Sequence, residues 1–208
     1  MLFRSMPRTV RRTTIPDVLE VALELERKTM ALYADFVRLF SADAELRQFW
    51  FSMARHEAAH CGALMLVECI LRNDPELGGE TKVLFDTSTG IRLRSLLAGY
   101  RRELRRGVTR ERAFEMAVDL ESSELEDVVV DLLQVVQDPG WRDQAVKLLI
   151  HDLSDMSYMI EKYTKDERLL ARADALVERR IGRRGATSSA AAAPAARRSG
   201  ATSGRRAR

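Results

Sequence analysis

The segment Arg55-His56-Glu57-Ala58-Ala59-His60-Cys61 sets a carboxylate and an imidazole three residues apart. On a helix Glu57 and His60 would share a face, about 5–6 Å apart at Cβ. Trp50, Met53, Leu64, Val67 and Leu71 extend the same 3-4 spacing on either side, so the two polar groups interrupt an apolar stripe. Burying them without partners is costly, and a metal ion held by oxygen and nitrogen ligands would satisfy both.

An internal repeat adds to this pair. Residues 18–26 (VLEVALELE) align without gaps to residues 113–121 (AFEMAVDLE), an offset of 95, and Thr14 falls on Thr109. The same offset carries His56 onto His151, Glu57 onto Asp152 and His60 onto Asp155. Glu26 precedes Glu57 by 31 residues, as Glu121 precedes Asp152. Two helix pairs with matched polar positions are expected to pack as a pseudo-twofold four-helix bundle. Its interior would receive Glu26, Glu57, His60, Glu121, Glu124, Asp152 and Asp155. That set is five or six carboxylates and one imidazole, whose charge two divalent cations would largely neutralise. Without metal the acids would repel one another and raise each other's pKa values.

The elements that must position these groups are legible as helices. Thr14, Pro16 and Asp17 mark a helix start, and helix 1 is expected to reach about Phe40. Helix 2 is expected over about 44–73, ended by Asn73-Asp74-Pro75. A long crossover over 74–108 carries a short helix at about 91–105. Helix 3 runs from Thr109 to about Val136, Asp138-Pro139-Gly140 turns the chain, and helix 4 covers about 141–163. A short charged helix follows over 166–180. The expected division is a basic arm at 1–13, a helical domain at 14–181, and a disordered Ala/Ser/Arg-rich tail at 182–208.

Composition agrees with an all-α chain. Of 208 residues 46% are hydrophobic and 31% charged, with five prolines and eleven glycines. No apolar run is long enough to span a membrane and residues 1–14 lack a signal-peptide centre, so no membrane role and a cytoplasmic location are expected. Cys61 and Cys69 would lie about 12 Å apart along one helix, too far to bridge. No Cys-x-x-Cys pair occurs. The net charge of +3 conceals an asymmetry: nine arginines and no acid fall in 179–208, leaving −6 on residues 1–178. That tail could touch nucleic acid non-specifically by charge.

Together these motifs resemble the ferritin-like superfamily, and the rubrerythrins most closely, over residues 14–165. The family pattern is a glutamate from each of two helices and a Glu-x-x-His from each of two others. Glu26 and Glu121 match the single glutamates and Glu57-Ala58-Ala59-His60 the first pair. Glu124 stands where rubrerythrins carry a further glutamate, and Tyr33 follows Glu26 by seven residues as their tyrosine does. The resemblance implies a ferritin-like bundle holding two iron ions. Glu26 and Glu121 would be terminal ligands, Glu57 and Asp152 bridges, and His60 and Asp155 one further ligand each. It implies oxidation of Fe(II) by dioxygen or peroxide, and a homodimer or higher homo-oligomer. The rubredoxin-like domain has no counterpart here, so peroxide reduction would need an external electron donor.

The departures lie in helix 4, where Asp152-Leu153-Ser154-Asp155 replaces Glu-x-x-His, and at Val128, which stands where a second tyrosine would match Tyr33. An all-oxygen half-site also suits manganese. Several residues carry a plainer reading. Asp152 and Asp155 could be solvated residues of a degenerate half, Glu124 an exposed helix acid, and His56 and His151 surface histidines. Tyr33 could simply hydrogen-bond a core carboxylate. The alternative function is a non-enzymatic, degenerate metal-binding or scaffold protein. His56-Glu57-Ala58-Ala59-His60 also fits the zinc-peptidase helix signature, although that chemistry needs a third ligand and usually a sheet edge.

Overall fold

The computed structural model describes residues 14–76, 87–123, 125–133, 140, 153 and 155–191. The arm at 1–13, Glu124, His151, Asp152 and residues 192–208 lie outside the described residues, as does most of the expected first part of helix 4. Every regular element among the described residues is α-helical, and no strand occurs among them. No helix among them is long and apolar enough to cross a membrane.

Helix α1 spans Ile15–Leu39 and α2 spans Ala44–Asn73, both within a residue of the expected bounds. Their limits are written in local chemistry. The Thr14 hydroxyl accepts from the Asp17 backbone N–H at 3.3 Å, and the Asp17 carboxylate accepts from the Thr14 N–H at 3.1 Å. This closed capping box satisfies two backbone donors that a helix start otherwise leaves open. The Asp43 carboxylate does the same for α2, accepting from Glu45 and Leu46 N–H groups at 3.1 Å each. The four-residue turn between them makes α1 and α2 an antiparallel hairpin packed along its length.

Helix α3 spans Thr87–Leu104, starting earlier in the crossover than the expected Ile91, and packs Leu93, Leu97 and Tyr100 into the core beside α1. Arg94 fastens it there, its guanidinium donating to Glu24 of α1 at 2.9 and 2.5 Å. Gly107, at φ 93°, adopts the left-handed conformation that ends the turn after α3 at least cost.

The helix expected to run unbroken from Thr109 to Val136 is two helices. Helix α4 spans Arg110–Glu121, capped by Thr109, and α5 spans Leu125–Leu133. Ser122 and Ser123 make the break. Serine side chains compete with the helical backbone, and the Ser123 hydroxyl accepts from the Leu125 N–H at 3.4 Å, starting the next helix. Helix α5 buries Leu125, Val128, Val129, Leu132 and Leu133 and touches α1, α2 and α4.

Residues 155–163 form α6, which buries Met156, Met159 and Ile160. Tyr163 and Lys162 at its end bond to Asp43 and Glu45 at the start of α2. Helix α7 spans Glu167–Ala191 and packs on α4, with Arg172 donating to Asp119 at 2.5 Å. It therefore passes both the expected end at Arg180 and the expected tail start at Gly182. Alanine and arginine are strong helix formers, and adding a residue to a formed helix gains a hydrogen bond for each residue fixed. The core is built around Trp50, fully buried, with the rings of Phe36 and Phe49 at 4.8 Å and of Phe114 at 5.1 Å.

Candidate metal centre

The hairpin fixes the level of the first three groups. Glu26 and Glu57 stand thirteen residues from the facing helix ends, Leu39 and Ala44, so each lies about 20 Å from the turn at 1.5 Å per residue. His60 is one turn on from Glu57. The apolar stripes of α1 and α2 face each other, which turns all three side chains inward: Glu26 is 0% exposed, Glu57 1% and His60 2%.

Their ligand atoms converge. His60 Nδ1 lies 3.3 Å from a Glu57 oxygen and 3.6 Å from a Glu26 oxygen, and one ligand atom from each residue falls within 4.8 Å of the other two. Among the described residues no other group of histidine, cysteine and acidic side chains converges in this way. Glu121, the last residue of α4, is also buried and lines the same small cavity of about 10 Å³ with Glu26, Glu57, Thr29, Leu93 and Leu97. That space is on the order of one water molecule. Tyr33 of α1 donates its hydroxyl to Glu121 Oε1 at 2.9 Å, which ties the carboxylate to the hairpin.

The electrostatics of the cluster are those of carboxylates forced together out of water. Burial, and after it the Glu26 charge, pushes the Glu57 carboxyl well above its ordinary value. For Glu26 burial is the largest single influence and acts upward. It is outweighed by the proton that Glu57 offers and by His60 and His56, so Glu26 ends below the ordinary carboxylate value. The two carboxyls are thus pushed in opposite directions, Glu57 up and Glu26 down. Beyond the hydrogen bond that Glu57 offers Glu26 and the nearby His60 nitrogen, both Glu26 oxygens and Oε2 of Glu57 have no hydrogen-bond donor among the described residues. Two carboxylates short of donors beside an imidazole nitrogen fit a divalent cation of the iron or manganese kind.

The remaining expected residues separate. Asp155 is exposed on α6, because Met156, Met159 and Ile160 set the buried face of that helix and leave Asp155 turned away from it. The structure does not bring it to the cluster. Asp152 and Glu124 lie outside the described residues. Val128 is buried in α5.

Two groups were read differently from sequence. His56 is 7% exposed, not a surface residue, and its ring centroid lies 4.5 Å from that of His60. It precedes His60 by four residues, a spacing that puts both on one side of α2. Thr29, three residues after Glu26 and so on its face, lines the cavity and spends its hydroxyl proton on the Leu25 carbonyl at 3.1 Å. No protein-family model, curated protein or solved structure matches the chain.

Proposed function

We propose that this chain is a ferritin-like metal-carboxylate protein that binds iron between α1, α2 and α4 and oxidises Fe(II) with dioxygen or peroxide as the oxidant. The observation that carries the reading is the convergence of Glu26, Glu57 and His60, fully buried, with no hydrogen-bond donor to the Glu26 oxygens from outside the cluster among the described residues. Glu26, Glu57 and His60 hold the first ion, and Glu121 stands ready as a further carboxylate, oriented by the Tyr33 hydroxyl. A second ion would draw on Glu121 together with Glu124 and Asp152. Iron bound there supplies one-electron chemistry toward the oxidant. The protein's own part is to hold the ions, to release from Glu57 the proton that metal binding displaces, and to keep bulk water out with Leu93, Leu97 and Leu120. With no Cys-x-x-Cys module in the chain, electrons for repeated turnover come from an external donor.

A second reading is supported by Asp155, which faces solvent. A site lacking that ligand could bind a single ion, manganese included, without oxidase chemistry. The peptidase reading is disfavoured, since the converging ligands are Glu26, Glu57 and His60 and not the His56–His60 pair. Anaerobic titration with Fe(II) followed by admission of air separates the first two. The oxidase reading expects a ferric absorption band and consumption of oxidant in proportion to bound iron. Tight iron binding with no oxidation faster than free Fe(II) would leave the single-ion reading standing.

A further inference from the structure

The end of α3 and the start of α4 carry the sequence RRELRRGVTRER over residues 101–112, six arginines against two glutamates, inside a region 1–178 whose net charge is −6. Arg112 is engaged: it donates to Glu103 at 2.9 and 3.2 Å and to Glu115 at 2.6 Å, which also takes Glu103 out of play. The other five, Arg101, Arg102, Arg105, Arg106 and Arg110, are exposed, and none is in an ion pair among the described residues. Arg110 instead lies over the Tyr163 ring at 6.0 Å. Glu111 is the remaining acid of the ridge.

Local helix chemistry does not account for this placement. The negative end of the α3 dipole favours Arg101 and Arg102 in the last turn. Arg105 and Arg106 lie past that helix, and they sit four residues from Arg101 and Arg102, where like charges repel. Arg110 is the first residue of α4, at the positive dipole end, where a cation is disfavoured. An anion from outside would offset the repulsion among these side chains.

We propose that this arginine ridge binds the phosphate backbone of duplex nucleic acid, a function separate from the metal centre. The five follow one another through the end of α3, the turn after it and the start of α4, giving a run of exposed cations. All five are arginine, whose planar fork pairs with phosphate oxygens through two hydrogen bonds. Between residues 99 and 112 no large apolar side chain and no aromatic ring is exposed. The ridge therefore has nothing to insert into a bilayer and nothing on which to stack single-stranded bases. Contact by charge with a duplex backbone is what remains, and it is independent of sequence.

The test is fluorescence anisotropy of a labelled 24-base-pair DNA duplex with the full chain, at roughly 50 to 200 mM salt. The wild type is expected to bind with an affinity that falls steeply with salt. The variant R101Q/R102Q/R105Q/R106Q should bind at least tenfold more weakly at the lowest salt. Its log–log salt slope should be shallower by about 3.6, given four contacts at about 0.9 each. If circular dichroism shows that variant unfolded, R105Q/R106Q, altered only past the end of α3, is read instead, with a slope shallower by about 2. A full-length variant with Arg197, Arg198, Arg205, Arg206 and Arg208 all changed to Gln should retain most of the binding. The proposal is overturned by absence of duplex binding, by ridge variants that bind as the wild type does, or by loss confined to the tail variant. Binding to phosphatidylserine vesicles but not to DNA would overturn it in favour of a membrane surface.

Discussion

At the scale of single residues, the cluster is governed by two carboxyls buried side by side, and burial raises that of Glu57 well above its ordinary value. Glu57 is held protonated in the metal-free fold at pH values where the unfolded chain, near its ordinary value of 4.5, has released that proton. The folded state then binds more protons than the unfolded one, so the stability this group contributes is complete below about 4.5 and is lost as pH rises toward its folded value. Replacing Glu57 by Gln keeps the shape and removes the titration. Urea unfolding of the metal-free proteins at pH 5 and pH 7 should show the wild type losing more stability than E57Q over that interval. Identical losses would mean that Glu57 is not held protonated in the fold. Much of this chemistry was legible in sequence, since Glu57 and His60 are neighbours on one helix and the 31-residue spacing paired them with Glu26 across a short turn. Asp155 misled because the 95-residue repeat transfers position in the chain, whereas exposure is decided by helix phase. In α6 that phase follows Met156, Met159 and Ile160.

Among the elements, α3 has the least obvious hold on the rest, and Glu24–Arg94 is its polar fastening to α1. Hydrogen bonding from Arg94 and then Lys28 draws the Glu24 carboxyl down to about 2. Its contribution is therefore present above pH 4.5 and fades as pH falls toward 2. Both side chains are more than a third exposed, so solvent screening limits the pair to roughly 0.5–1 kcal/mol. R94Q should lower the unfolding free energy by about that amount at pH 7 and by less at pH 3. An equal effect at both values would assign the loss to packing of the arginine stem. Element starts were readable because Thr14, Asp43 and Thr109 act within one turn of themselves. The break at Ser122–Ser123 was hidden, because the apolar period runs on through Leu125, Val128 and Leu132 and masks two residues that favour bonding to their own backbone. That break leaves Glu121 at a helix end, next to the cavity and within reach of Tyr33.

For the molecule as a whole, a helical chain places a cluster of acids and a histidine in the interior, and on the surface at the α3–α4 junction five arginines without an ion pair among the described residues. The repeat suggested two equivalent halves, and Thr14 and Thr109 do cap corresponding helices. The halves are unequal in chemistry, since the first supplies Glu26, Glu57 and His60 and the second supplies Glu121 among the described residues. The central claim is that Glu26, Glu57 and His60 hold a cation. Calorimetric titration of Mn(II) into the metal-free full chain at pH 7 tests it without redox chemistry. Saturable binding with release of a proton is expected, weakened about 100-fold or more in E57Q and unchanged in D155N. Mn(II) binding in E57Q as tight as in the wild type, or lost in D155N, would contradict it.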